Sequence, residues 1–329
     1  MSPVASSPSQ DFGPDRILAV KSSITTRFDW DYSTKSPKLR ALYEKGKAAQ
    51  WNAVTDIDWT PQMQFGAPLR PTTELRGSHA RRPAGFPLPE DMWDMYRWEY
   101  HSWMTSQFLH GEQGALLATA RLVETVPDLD DKFYAASQVV DEARHVEAFS
   151  MYVERLGHHY PINPALRSML SNVVTEDRWD IIYLGMQIIV EGLALAVFRL
   201  GHATSFDPVI RQITDLVARD EARHVAFGVL ALQGLYDDLT SREIADREEF
   251  IKEAALLMSR RFRLEEIWER VGVAPAVGVE YALTDPVMRD FRRLMFAKIV
   301  SALARLGLLT EGVRRHLEEL ALMLPSAHR

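Results

Sequence analysis

The string Asp-Glu-Ala-Arg-His occurs twice in this chain, at residues 141–145 and again at 220–224. Each copy is preceded by a glutamate isolated in an apolar run: Glu112 lies 142 − 112 = 30 residues before Glu142, and Glu191 lies 221 − 191 = 30 residues before Glu221. On a helix, residues three apart share a face, so Glu142 with His145, and Glu221 with His224, can each point at one atom. Helices packed with these faces inward gather four carboxylates and two imidazoles in one place. Such a cluster does not tolerate burial alone, because ionised carboxylates lose hydration and repel one another. Two divalent cations balance the four negative charges and leave both histidines neutral, as metal ligands are. Oxygen-rich ligation with one imidazole per ion suits iron first and manganese next, while zinc would occupy the same groups without redox chemistry. Solvated helix turns carrying i,i+3 ion pairs are the ordinary fate of one such string; its duplication with matched upstream glutamates weighs against that reading.

The neighbours of these residues fall into place around them. Asp141 and Asp220 are positioned to accept the second ring N–H of a histidine from the opposite half, fixing its tautomer, with Arg144 and Arg223 balancing the acids. His158 and His159 stand beside Pro161 in an expected loop, and His101 is about 16 Å along the helix from Glu112 at ~1.5 Å per residue, so none of the three is expected as a ligand.

Composition narrows the chemistry further. With 329 residues, 47% hydrophobic and 25% charged, the chain can bury a sizeable core. Its net charge of −7 leaves no basic excess for phosphate, so nucleic acid is not an expected partner. The arginine pairs 260/261, 292/293 and 314/315 read as solvated helix faces. The absence of cysteine removes disulfides, thiolate ligands and iron–sulfur clusters. The first 20 residues hold no apolar block, which points to the cytoplasm. The apolar stretch 181–198 is long, but Gln187 and Glu191 interrupt it, so a buried core helix is expected and no membrane contact.

Ten of the 17 prolines lie in the first 90 residues, so residues 1–88 are expected as an extended arm packed on the body, with one short helix near 36–51. From 89 to 325 helical periodicity dominates, predicting helices near 89–124, 129–157, 176–203, 207–237, 241–271 and 286–323. Asp207 is the expected N-cap of the fourth, followed by Pro208 at its first position. No run alternates as a strand does, so the class is all-α.

Glu, Glu-x-x-His, Glu, Glu-x-x-His on four helices resembles the ferritin-like di-metal carboxylate proteins, over about residues 89–237. The segments LVARDEARHVAFG (216–228) and KAAQWNAVTDIDW (47–59) are most similar to the ribonucleotide reductase small subunit and its ligand-binding oxidase relatives. The resemblance implies a ferritin-like four-helix bundle with additional C-terminal helices. It assigns one metal to Glu112, Glu142 and His145, and the other to Glu191, Glu221 and His224. It also matches Trp51 to the tryptophan that relays electrons to the centre, through Asp220 and His145. The departures matter as much. Phe149 stands where the reductase subunit has its radical tyrosine, and the last 48 residues contain no tyrosine for radical export. Met186 and Ala115 occupy the tyrosine and valine positions of the oxidases' crosslink. Ala194 and Leu195 replace the threonine of desaturases and multicomponent monooxygenases, and Val217 replaces the third histidine ligand of arylamine N-oxygenases.

The function implied is a non-haem di-iron, or manganese–iron, oxygenase or oxidase that activates dioxygen and oxidises a C–H or N–H bond of a small apolar or aromatic molecule. N-oxygenation of an amine, ferritin-type iron storage and radical generation for a partner enzyme are the competing readings. The chain has no flavin or nicotinamide motif, so an external ferredoxin or flavin reductase is expected as electron donor, and a homodimer as the assembly. Phe108, Leu116, Phe149, Met186, Ile188, Val217 and Phe227 are expected around an apolar cavity. Gly111, Gly114, Ala115, Gly192 and Ala194 beside the ligands either open room for substrate or permit tight helix packing.

Overall fold

The computed structural model of the chain describes residues 18–69 and 82–325. Those parts of the expected arm that fall on residues 1–17 and 70–81 lie outside the described residues. Helix α1 spans Pro37–Ala48, α2 Trp93–Thr125, α3 Leu129–Leu156 and α4 Pro164–Thr175. Helix α5, Trp179–Tyr183, runs through a π-helical segment, Leu184–Val190, into α6, Glu191–Thr204. Helix α7 follows at Pro208–Leu232, then α8 Ser241–Arg260, α9 Glu265–Arg270, α10 Pro275–Thr284, α11 Pro286–Arg305 and α12 Glu311–Glu319. Among the described residues no strand forms.

The bundle consists of α2 paired with α3, α6 paired with α7, and α3 packed on α7. Local chemistry fixes the helix ends. The Asp207 carboxylate accepts from Val209 N at 2.8 Å, and Pro208 begins α7 without wasting an N–H. Gly157 closes α3 in the left-handed region at φ 67°. Thr240 and Glu243 form a reciprocal capping box at the start of α8. Helix α1 lies against α3 and α7, which carries Gln50 and Trp51, just beyond its end, onto the two helices that bear the repeated motif. The described part of the arm is tied down at Arg27 N, which donates to Glu124 O at 2.8 Å, and at Ser36 N, which donates to Asp130 Oδ2 at 2.7 Å.

Several expected boundaries are corrected. The helix predicted over 241–271 stops at Arg260, turns through a 3-10 segment, Arg261–Arg263, and passes Leu264 at φ 57° before α9. The one predicted over 286–323 breaks at Gly307, φ 72°, where the left-handed backbone ends α11. The one predicted over 207–237 ends at Leu232, before Gly234 at φ 80°. Helices α4 and α10 are not among the expected helices; Pro164 and Pro275 each occupy a first turn, where proline costs no hydrogen bond. The apolar stretch Trp179–Thr204 is long and apolar enough to cross a membrane, and 83% of its apolar window is buried inside the bundle. It is a core helix.

The π segment is the least predictable element. Shifting the hydrogen-bond register inside a helix rotates the residues that follow, and Glu191 is the first residue after it. Gly228, one turn beyond His224 on α7, lets that helix approach the segment so closely that a Cβ at 228 would meet the Gln187 Cβ at 2.5 Å. The obstructing atom is the root of a buried side chain and has no room to swing away. Gly228→Ala is therefore predicted to destabilise the fold by about 1–3 kcal/mol despite its better helix propensity. Thermal or urea unfolding checks this, and an unchanged or raised Tm would contradict the tight approach.

Candidate metal centre

Glu112 on α2, Glu142 and His145 on α3, Glu191 at the start of α6, and Glu221 and His224 on α7 all point into the bundle, none more than 4% exposed. Their donor atoms form two groups within which every atom lies within 4.8 Å of the others: Glu112, Glu142, His145 and Glu221, and Glu142, Glu191 and His224. His145 Nδ1 is 3.1 Å from Glu112 Oε2 and 3.4 Å from both Glu142 Oε2 and Glu221 Oε1. His224 Nδ1 is 3.2 Å from Glu142 Oε1, 3.6 Å from Glu221 Oε2 and 3.9 Å from Glu191 Oε2. Glu142 and Glu221 thus lie between the two imidazoles, whereas Glu112 stands on the His145 side and Glu191 on the His224 side. Each of the two expected three-residue sets is brought together, with Glu142 and Glu221 in addition within reach of both imidazoles.

The second ring nitrogens point the other way. His145 Nε2 is 3.1 Å from Asp220 Oδ2, and His224 Nε2 is 3.2 Å from Asp141 Oδ2, so each aspartate contacts the histidine of the opposite helix. Trp51 Nε1 donates to the same Asp220 Oδ2 at 2.8 Å, and its ring stacks on His145 with centroids 6.1 Å apart. Arg144 pairs with Asp141 at 2.7 Å and Asp220 at 3.0 Å and lies over the Trp51 ring, while Arg223 pairs with Asp220. Two glutamines complete the surroundings and were not singled out from the sequence. Gln138 Nε2 donates to Glu142 Oε1 at 2.9 Å and to Glu191 Oε1 at 2.7 Å. Gln50 donates to Asp141 at 2.8 Å and accepts from Arg144 at 2.5 Å. The available signal for Gln138 was its position one turn before Glu142. His101 and His158 stand apart from the cluster, bonded to Tyr152 at 2.5 Å and Glu99 at 2.9 Å.

Burial, reinforced by the neighbouring acids, pushes the Glu112 carboxyl up to about 8 and Glu191 well above its usual range. Burial also opposes charging of the two imidazoles, but the surrounding carboxylates outweigh it and raise both His145 and His224. One oxygen each of Glu142, Glu191 and Glu221, and Nδ1 of His224, is buried without a hydrogen-bond partner. Four such atoms converging in one place are what cations would satisfy, and the oxygen-and-imidazole donor set fits a pair of redox-active divalent ions.

An apolar pocket opens beside the cluster and touches Glu112, Glu191 and Glu221. Of the expected lining, Phe108 and Met186 face it, together with the small residues Gly111, Ala115 and Ala194. Phe149, Ile188, Val217 and Phe227 are closed core instead, and Leu116 is half-buried. Gly114 and Gly192 serve packing, against Leu170 and Ile299. Tyr100, Trp103, Arg261, Phe262 and Leu264 also line it. Arg261 is therefore not on a solvated face, and nor is Arg292, which is 3% exposed and donates to backbone carbonyls.

The model of the p-aminobenzoate N-oxygenase AurF family matches residues 116–307, more than half of the chain. No curated protein matches. Among solved structures, a protein with aldehyde deformylating oxidase activity from Synechococcus is 21% identical, with 68% of this chain and 96% of that one covered and a TM-score of 0.49. An R2-like ligand-binding oxidase with aerobically reconstituted Mn/Fe cofactor is 19% identical over 89% of this chain and 92% of its own, with a TM-score of 0.42. A single-residue variant of such an oxidase, anaerobically reconstituted, is 19% identical over 82% and 93%, with a TM-score of 0.49.

Sharing of Glu142 between both imidazoles makes a prediction that separate sites would not. Glu142→Ala should remove both metals from the folded chain, and Glu191→Ala only one, as read by elemental analysis alongside circular dichroism; equal losses from the two variants would contradict the sharing. The matched family model, on a helical bundle with this buried carboxylate–histidine cluster, establishes that the chain belongs to the p-aminobenzoate N-oxygenase (AurF) family and is a dioxygen-dependent di-metal oxidoreductase of the ferritin-like superfamily.

Proposed function

We propose that Glu112, Glu142, His145, Glu191, Glu221 and His224 hold two iron ions, and that the chain uses them to oxygenate the nitrogen of an aromatic amine bound in the adjoining cavity. The observation that carries this reading is the direct opening of an apolar cavity onto three of the four cluster carboxylates. Bound iron supplies the redox chemistry with dioxygen that no side chain of this chain can provide.

The protein's own part is positioning and insulation. Asp220 and Asp141 hold His145 and His224 with Nε2 occupied, leaving Nδ1 toward the cluster. Gln138 steers one oxygen of Glu142 and one of Glu191, freeing the other oxygen of each. Phe108, Met186, Val190 and Phe198 keep bulk water from the reacting end of the cavity. Conversion of an amine to a hydroxylamine with dioxygen takes two electrons and two protons from outside the substrate, the second oxygen atom leaving as water. The hydrogen-bonded line Trp51, Asp220, His145 is the proposed entry for those electrons, delivered by an external ferredoxin or flavin reductase. A homodimer is the proposed assembly.

Val217 favours a second reading. The position that resembles the third histidine of arylamine N-oxygenases carries a fully buried valine, so each ion has one imidazole, and C–H oxygenation of a similar molecule is the alternative. One assay separates the two: iron-loaded protein, a chemical reductant and labelled dioxygen are incubated with a panel of arylamines. A hydroxylamine carrying one labelled oxygen atom is predicted, formed more than about 100-fold more slowly by His224→Ala. Label found only on carbon would replace this reading with the second, and no label on any arylamine would refute N-oxygenation.

A further inference from the structure

The pocket at the acid cluster adjoins a second one, and the two share the side chains of Tyr100, Met104, Phe108, Val197 and Phe291. On α2 the second pocket runs back from Phe108 to Trp93, and on α6 it runs on from Val197 to Thr204. It therefore lies toward the start of α2 and the end of α6, and none of the cluster residues lines it. His101 does line it, 11 residues before Glu112, or about 16 Å along α2 at ~1.5 Å per residue.

A relay of buried groups fixes the His101 ring. Tyr152 donates its hydroxyl hydrogen to Asp207 Oδ2 at 2.6 Å, and the same Tyr152 oxygen lies 2.5 Å from His101 Nε2. A phenol has a single hydrogen, and here the carboxylate takes it, so the hydrogen between tyrosine and imidazole is carried by Nε2. Burial pulls the pKa of His101 down to about 4 against the opposing charge of Asp207, which keeps the ring neutral at pH 7. A neutral ring with its hydrogen on Nε2 has a lone pair on Nδ1. Among the described residues no hydrogen bond engages that atom, and it is not one of the polar atoms shut in the core without a partner, so it faces the pocket that the residue lines. The rest of the polar wall has the same character. The hydroxyls of Thr105, Thr204 and Thr214 donate to His101 O, Leu200 O and Ile210 O of their own helices, which leaves oxygen lone pairs. Arg97 has its counter-charge in Asp94 at 3.4 Å. Such a wall suits a neutral hydrogen-bond donor and disfavours an anion, which would meet lone pairs.

We propose that the two pockets together hold one elongated molecule, with its oxidisable end at the acid cluster and a neutral hydroxyl group donating to Nδ1 of His101. His101 is then a specificity-determining residue, and Tyr152 and Asp207 position it by fixing its tautomer. This rests on the reading of the first pocket as the substrate site. The experiment is calorimetric binding to iron-loaded protein under anaerobic conditions, with 4-(6-hydroxyhexyl)aniline, its methyl ether and 4-hexylaniline as probes. Wild type is expected to bind the alcohol about tenfold more tightly than the ether, which brings a lone pair to a lone pair. His101→Phe, which keeps a ring against Phe206, should bind alcohol and ether alike while its affinity for 4-hexylaniline is unchanged. Tyr152→Phe removes the oxygen that holds the hydrogen on Nε2, so the ring is free to carry it on Nδ1, and the preference for alcohol over ether should shrink; loss of packing alone would weaken all three probes together. Circular dichroism checks that each variant is folded, and Tyr152→Phe decides if His101→Phe is not. Equal affinity for alcohol and ether in wild type, an undiminished preference in either variant, or a parallel loss of all three probes would overturn the proposal. The same samples are then given reductant and dioxygen: oxidation of 4-hexylaniline without an alcohol preference refutes the His101 site alone, whereas an alcohol preference without oxidation of any probe refutes the proposed reaction alone.

Discussion

Four glutamates and two histidines at the centre of an apolar bundle are a charge problem before they are a site. Each carboxylate has lost its water, and the groups crowd one another within hydrogen-bonding range. Protonation of Glu112, Glu191 and the imidazoles relieves the crowding in one way, as their raised pKa values show. Two divalent cations relieve it in another, and also satisfy the buried oxygens and the His224 nitrogen that hydrogen bonds leave out. The surrounding structure makes the second solution specific. Asp141, Asp220, Arg144 and Arg223 form an ionic belt behind the histidines, and each aspartate holds one imidazole by its Nε2.

The two halves of the bundle carry the same motif but are not equivalent. In the first half, the residue one turn before Glu142 is Gln138, which steers two of the glutamates. The matching residue before Glu221 is Val217, sealed in the core with Phe149 and Phe198. Only the second half contains a π segment, placed immediately before Glu191. The cavity opens along α2 and α6, on the side of the terminal glutamates Glu112 and Glu191, and away from the Trp51 and Asp220 side. The pocket and the Trp51–Asp220 hydrogen bond therefore lie on different sides of the cluster.

Much of this could be read from residue types and spacing. The i,i+3 placement of glutamate and histidine, repeated at a constant 30-residue offset, carries the site because helix geometry turns spacing directly into direction. Asp207 with Pro208 marks a helix start for equally local reasons. What escaped depends on tertiary context. A π turn is a shift in backbone hydrogen bonding, and no side chain in Leu184–Val190 announces it. Pro164 and Pro275 begin helices but look like interruptions until the chain on both sides is placed. Arg261 follows another arginine, which gives it the look of a solvated face, and only the turn at Leu264 swings it inward. The closeness of Glu142 and Glu221 to both imidazoles is likewise a property of how α3 and α7 pack, and spacing along either helix does not encode it.

Diffraction from crystals of the iron-loaded chain, with anomalous data collected at the iron edge, tests the central claim most directly. Two peaks are predicted inside the bundle, one beside Glu112 and His145 and one beside Glu191 and His224, with Glu142 and Glu221 reaching both. A single peak, or iron bound anywhere other than among these six side chains, would contradict the account.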